Sequence, residues 1–173
     1  MVRLSPLLAL LCIGCVADQP ESLQTVAAFE VPLPTAADKS DFLALMRKEA
    51  EARGYHLDAA SDDQLRALSR VSPLTLNASI WRGNDEEIMV SAMDGADHLG
   101  RVWITFSKGE NPQRSAELQS ALIPKIRQRW PDTASLPIMP SGAIPLARDL
   151  VRTPIGYEVK ASEASKYQAE RQR

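Results

Sequence analysis

Cysteine is almost absent from this chain: the two it has, Cys12 and Cys15, both lie in the first fifteen residues. Residues 16–173 therefore hold no disulfide, thiolate metal site, iron–sulfur ligand or cysteine nucleophile, and their stability rests on an apolar core. Histidine is nearly as scarce, with only His56 and His98. A transition-metal centre needs three or four ligands at workable spacing, and none is expected here. The eight glycines are scattered, so no glycine-rich loop opens a helix to cradle phosphate, and no cofactor is expected. With 20 basic and 22 acidic side chains, net −2, the chain lacks the basic excess of a nucleic-acid binder. No apolar run approaches the ~20 residues that a membrane-spanning helix needs. There is no Gly-x-Ser-x-Gly elbow and no Ser-x-x-Lys pair, so no catalytic residues are assigned by motif.

What the chain does have begins at its start. Arg3 supplies one positive charge, Leu4 to Ile13 is almost wholly apolar, and Gly14 is the small residue before Cys15. This three-part pattern is that of an export signal, cut after Gly14. The run Cys12-Ile13-Gly14-Cys15 resembles the lipobox of bacterial lipoproteins. Ile13, Gly14 and Cys15 match its usual form, and Cys12 stands where Leu is commonest. The resemblance covers the first fifteen residues only. It implies removal of residues 1–14, acylation of Cys15 with diacylglycerol and a further chain such as palmitate, and anchoring in a membrane. Two or three acyl chains, at about 0.8 kcal/mol per buried methylene, anchor stably where one is marginal. Val16 in place of Asp after the cysteine implies the outer membrane, with the domain on its periplasmic side. Losing Arg3 takes the net charge from −2 to −3.

About 160 residues remain after such a cut, enough for one domain with a substantial core. Residues 15–24 read as the lipidated cysteine and a polar tether, 25–160 as a single α+β domain, and 161–173 as a charged C-terminal helix or tail. Thr25 to Leu33 is rich in strand formers, and Pro32 and Pro34 then make it an edge strand. Asp38 to Arg53 carries Phe42, Leu45, Met46 and Ala50 at helical spacing, with Gly54 as its stop. Ser61 and Gln64 have capping-box spacing for a shorter helix to Arg70. The period then changes to two over 74–81, 88–93 and 101–107, with turn signals at Gly83-Asn84-Asp85 and Asp94-Gly95, which predicts a β-meander. Asn111-Pro112 starts a helix carrying Leu118, Leu122, Ile126 and Trp130, with a kink or break expected at Pro124. Residues 134–154 are too apolar for a free linker and too proline-broken for regular structure. The fold class is therefore α+β: a three- to four-stranded, mostly antiparallel sheet with helices packed on one face.

Two candidate sites follow. One face of the meander is uniformly apolar; the other carries Trp81, Met89, Met93 and Trp103 among Thr, Asn and Ser. Aromatic and Met side chains on a half-polar face suit a binding surface. The alternative occupant is segment 134–154, whose aliphatics need burial, and the weight of the argument lies with it. The second candidate is hydrolytic: His98 beside Asp97, with Asp94 near, as a carboxylate–imidazole pair. The expectation is a non-enzymatic envelope lipoprotein with an assembly or inhibitor role and a protein partner. A small envelope hydrolase using His98 with Asp97 or Asp94 stands as the alternative.

Overall fold

The computed structural model describes residues 21–83 and 87–168. The expected signal peptide, Cys15, the first part of the tether, the turn residues Asn84 and Asp85, and the last five residues lie outside the described residues. Eleven elements follow in order: β1 (Thr25–Pro32), α1 (Ala36–Glu51), β2 (Tyr55–Ala59), α2 (Asp62–Leu68), β3 (Asn77–Arg82), β4 (Glu87–Met93), β5 (Arg101–Ser107), α3 (Pro112–Arg129), β6 (Ala134–Ser135), β7 (Leu150–Thr153) and β8 (Gly156–Val159).

The fold is α+β, and the sheet is larger than the sequence suggested. Six strands run in the order β2-β3-β4-β5-β1-β6, and β7-β8 form a separate pair. Every neighbouring pair is antiparallel. The periodicity of β3, β4 and β5 produced the meander. The strands it did not reveal are β2 and β6, which are five and two residues long. Nor is β1 an edge: it lies between β5 and β6. Its proline, Pro32, is the last strand residue, so the missing N–H costs nothing upstream.

Two crossovers place the helices. α1 joins β1 to the parallel β2 at one edge, and α3 joins β5 to the parallel β6 at the other. The two connections leave antiparallel strands in opposite directions, so crossovers of one hand put both helices on the same face. There Phe42, Met46 and Ala50 of α1 and Leu118, Leu122 and Ile126 of α3 bury Val31, Ile80, Val90, Val102, Ile104 and Phe106 of the sheet. The ring of Phe42 meets Trp130 edge-on at 5.7 Å. Lys125 of α3 donates to Glu49 of α1 at 2.5 Å, and Arg53 pairs with the same carboxylate at 3.2 Å.

The helix starts follow local chemistry. Thr35 caps α1, which starts at Ala36 where the sequence predicted Asp38, and Asp38 completes the capping box; Ser61 and Gln64 form the box expected for α2. Asn111 and Pro112 open α3 as read from sequence. Of the kink or break expected at Pro124, the break does not occur, and α3 runs through it. Pro124 and Ser120 are both exposed, so the Ser120 carbonyl that Pro124 leaves without an N–H donor is on the solvent side, where water can reach it.

Candidate binding face

The side of the sheet opposite α1 and α3 is divided. Over β5, β1 and β6 it is covered. Leu136, Ile138, Ile144 and Leu150 pack with Tyr157 and Val159 against Ala28 and Trp103, forming a second, smaller core. Segment 134–160 thus occupies that half, as its aliphatics required. Its order includes β7 and β8, and β7 lies inside the stretch 134–154 that was expected to be too proline-broken for regular structure. The tail closes on it: Tyr167, on a 3₁₀ turn, donates to buried Asp149 at 2.8 Å.

Trp103 therefore belongs mostly to a core. Its indole N–H donates to Glu30 Oε2 at 3.1 Å, and Tyr157 donates to Glu30 Oε1 at 2.6 Å. Arg101 lies 3.5 Å from the same oxygen. Burial raises the Tyr157 pKa, as does its bond to the Glu30 carboxylate. Glu30 was missed in the sequence, yet a lone acid facing away from Phe29, Val31 and Leu33 in an apolar strand is a readable sign of a buried partner.

Met89 is absent from this face. Ile80 pairs with Val90 but Trp81 pairs with Ile88, so Met89 is the extra residue of a β-bulge. The bulge turns it into the main core beside Val90, and both are fully buried. Simple alternation across β4 placed Met89 wrongly, because one inserted residue moves the side chain to the other face.

What remains open is the β2–β3–β4 half. Cross-strand register aligns Asp58, Ser79, Ser91 and Thr105 in a row of small polar side chains. On one side of this row, Trp81 stands opposite Ile88 and His56. On the other, Met93 lies between Asn77 and Trp103 and is 47% exposed. Helix α2 borders the half: Leu68 and Gln64 meet Trp81, Ser79, Asn77 and Asp58 around a groove of about 380 Å³. A second hollow, about 250 Å³, lies where Ser72, Asp97, His98 and Trp103 face Pro145 and Leu146. Large apolar side chains are exposed near both, among them Leu68, Val71, Leu99 and Leu146.

The hydrolytic arrangement is not assembled. His98 Nδ1 donates to the Arg101 carbonyl at 2.9 Å, and its ring stacks on Trp103 with centroids 4.3 Å apart and planes at 7°. Among the described residues, no hydrogen bond joins His98 to Asp97 or Asp94. Asp94 is fully buried and turned the other way. It accepts from the Thr75 N–H at 2.6 Å, the Thr75 hydroxyl at 2.5 Å, the Leu76 N–H at 3.0 Å and the Gly100 N–H at 3.0 Å. Burial pushes its carboxyl upward, but those bonds outweigh it and hold it below the usual carboxylate range. Asp94 thus ties the entry to β3 to the β4–β5 connection. Among the described residues, no three His, Cys, Asp or Glu side chains gather as a metal site, and no helix is long and apolar enough to cross a membrane. No family model, curated protein or solved structure matches the chain.

Proposed function

We propose that the chain is a non-enzymatic lipoprotein of the bacterial envelope, held in the outer membrane through acylated Cys15, whose domain binds a protein partner in the periplasm. The observation that carries the binding reading is the uncovered half-face, where Trp81 and exposed Met93 stand on a small polar floor. Large apolar side chains left in solvent beside a groove mark interaction surfaces. Among the described residues, His98 hydrogen-bonds the Arg101 carbonyl and no carboxylate or hydroxyl, which favours binding over hydrolysis.

The anchor and the face are compatible in geometry. Residues 21–24 are fixed at one end of the sheet, where Lys108 N–H donates to Gln24 at 2.7 Å and Gly109 N–H to Ser22 at 2.8 Å. The chain from Cys15 to Glu21 reaches at most about 22 Å when fully extended. Met93 lies at the opposite end of the strands, roughly 20 Å further from that attachment. Lipid on Cys15 would hold the domain by the first end, with Met93 towards the other end of the strands.

One experiment tests both halves of this reading. Cells make the full chain with a photo-crosslinking residue at Met93, in the parent and in Cys15→Ala, with fatty-acid labelling in parallel. Expected is acyl label on the parent only, and a discrete protein adduct from Met93 that Trp81→Ala removes. Unlabelled parent protein refutes the anchor. An adduct unchanged by Trp81→Ala, or equally strong from a probe at Ala44 on α1, refutes the face.

A further inference from the structure

The two edges of the main sheet are treated differently by the chain. At one, β6 is two residues long and β8 is packed beside it. Gly156 approaches so closely that a Cβ there would lie 2.7 Å from the Ser135 carbonyl oxygen. At the other edge lies β2, with the sequence Tyr-His-Leu-Asp-Ala. It has no proline, no lysine and no bulge, three of the devices by which proteins block an open edge, and Asp58 is its one charged side chain. Its pairing with β3 is regular over its length.

The hydrogen-bond phase of β2 follows from one bond. Ala60 N–H donates to Asn77 O at 2.9 Å, in register with the β2–β3 pairs. Even-numbered residues thus bond to β3, and the N–H and C=O groups of Tyr55, Leu57 and Ala59 point outward. Among the described residues, no hydrogen bond reaches those groups. The side chains alternate accordingly: Tyr55, Leu57 and Ala59 pack towards the helices, while His56 and Asp58 lie on the open face.

We propose that β2 pairs antiparallel with β2 of a second copy of this chain, about a two-fold axis through Leu57. That register uses every outward group. Leu57 exchanges both bonds with its own counterpart, and Tyr55 does so with Ala59 of the other copy, twice. It also sets His56 directly opposite the other copy's Asp58, again twice, at a non-hydrogen-bonded site where side chains are closest. Asp58 is exposed and has no partner among the described residues, whereas His56 has one within its own chain. An imidazole N–H bonds a carboxylate whether the ring is neutral or charged. A strand whose outward backbone groups and flanking side chains complement themselves fits a copy of itself better than an arbitrary peptide. The result is one continuous sheet through both copies, with the open half-faces side by side. The inference stands whether or not Cys15 is acylated.

The register makes a sharp test. Two differently tagged full chains, one His56→Cys and the other Asp58→Cys, are co-expressed, and whole cells are oxidised and run without reductant beside the parent with its natural cysteines. Position 56 faces 58 at about 4.5 Å between Cα atoms, within disulfide reach, whereas 56 to 56 and 58 to 58 exceed about 7 Å. The expected result is a mixed-tag dimer at least about fivefold above that from either variant alone. In the folded mixed pair, Ala59→Pro, which deletes an outward N–H and spares the ladder to β3, lowers that yield to background. No mixed dimer, equal dimer from each variant alone, or a yield unmoved by Ala59→Pro in folded protein would overturn the proposal. The Met93 adduct is read separately, so either result stands without the other.

Discussion

Replacing Asp94 should cost more than replacing any other polar residue of the fold, and should do so in a pH-dependent way. Its carboxylate accepts three backbone N–H bonds and one hydroxyl bond while fully buried. Asp94→Asn keeps the shape but puts an NH₂ where one oxygen was. With that NH₂ at the Oδ2 position, the Thr75 hydroxyl can turn to accept, and the Gly100 N–H is orphaned. One buried unsatisfied donor costs about 1–3 kcal/mol. Asp94→Ala orphans all three N–H groups, which we place at about 3–5 kcal/mol. At about 2–4 °C per kcal/mol for a domain of this size, the Asn variant should melt about 2–12 °C below the parent. The pH dependence follows from the lowered carboxyl pKa. A group depressed in the folded state stabilises fully above its unfolded value, about 3.9, and loses that contribution as pH falls through the folded value. The gap between parent and Asn variant, followed by circular dichroism in heat and urea, is therefore steady from pH 7 to 5 and narrows below about pH 4. A melt within about 1 °C of the parent, or a gap that stays constant down to pH 3, refutes the reasoning.

Two further outcomes test the rest of the architecture. Met89→Ala should lose about 2–5 kcal/mol in urea unfolding, while Met93→Ala four residues along stays within about 0.5 kcal/mol. Equal losses would mean that the bulge does not turn Met89 inward. Gly156→Ala meets both a φ of 149° and the Ser135 carbonyl. It should destabilise by more than about 1 kcal/mol and raise amide exchange across 150–159 before the main sheet responds; exchange unchanged there would separate β8 from β6.

Legibility in the sequence tracked the strength of the local pattern. α1 and α3 carry large apolar residues at helical spacing with caps and stops beside them, and β3 to β5 alternate over six or seven residues with turns between. Such segments decide their own structure. β2 does not: its five residues hold no β-branched side chain, and it pairs because β3 offers an edge at the right distance after α1. The bulge was silent for a different reason. Ile88, Met89 and Val90 are all apolar, so hydrophobicity alone cannot say which of them is the extra one. Asp94 was read as a neighbour of His98 because they are close in sequence. Its true partners, Thr75 and Leu76, are near only once β3 and β4 have paired. Of the four residues read onto the candidate face, Trp81 and Met93 lie on its uncovered half, Trp103 is largely covered and Met89 turns into the core, since nothing local tells a strand which of its faces a later segment will cover.

Topology explains which half stays uncovered. After α3 the chain re-enters the sheet at β6, beside β1. Segment 134–160 starts from that edge, and its aliphatics reach Ala28 and Trp103. Helix α2 enters from the other edge but is only seven residues long and buries none of them. Two covers of limited length thus approach from opposite edges and leave β3 and β4 between them. The residues there agree with exposure: Ser79 and Ser91 occupy positions that a covered sheet would fill with Val or Ile. Trp81 and Met93 are the exceptions to that polar floor, and solvent gives no reason for either. Under the proposed binding role, a large aromatic and a thioether on a ground of hydroxyls would serve as the few anchors that carry most of the binding energy. The same open half ends at β2, so pairing of two copies there would double the face without covering it. A partner engaging both halves would then be held by two sets of anchors instead of one.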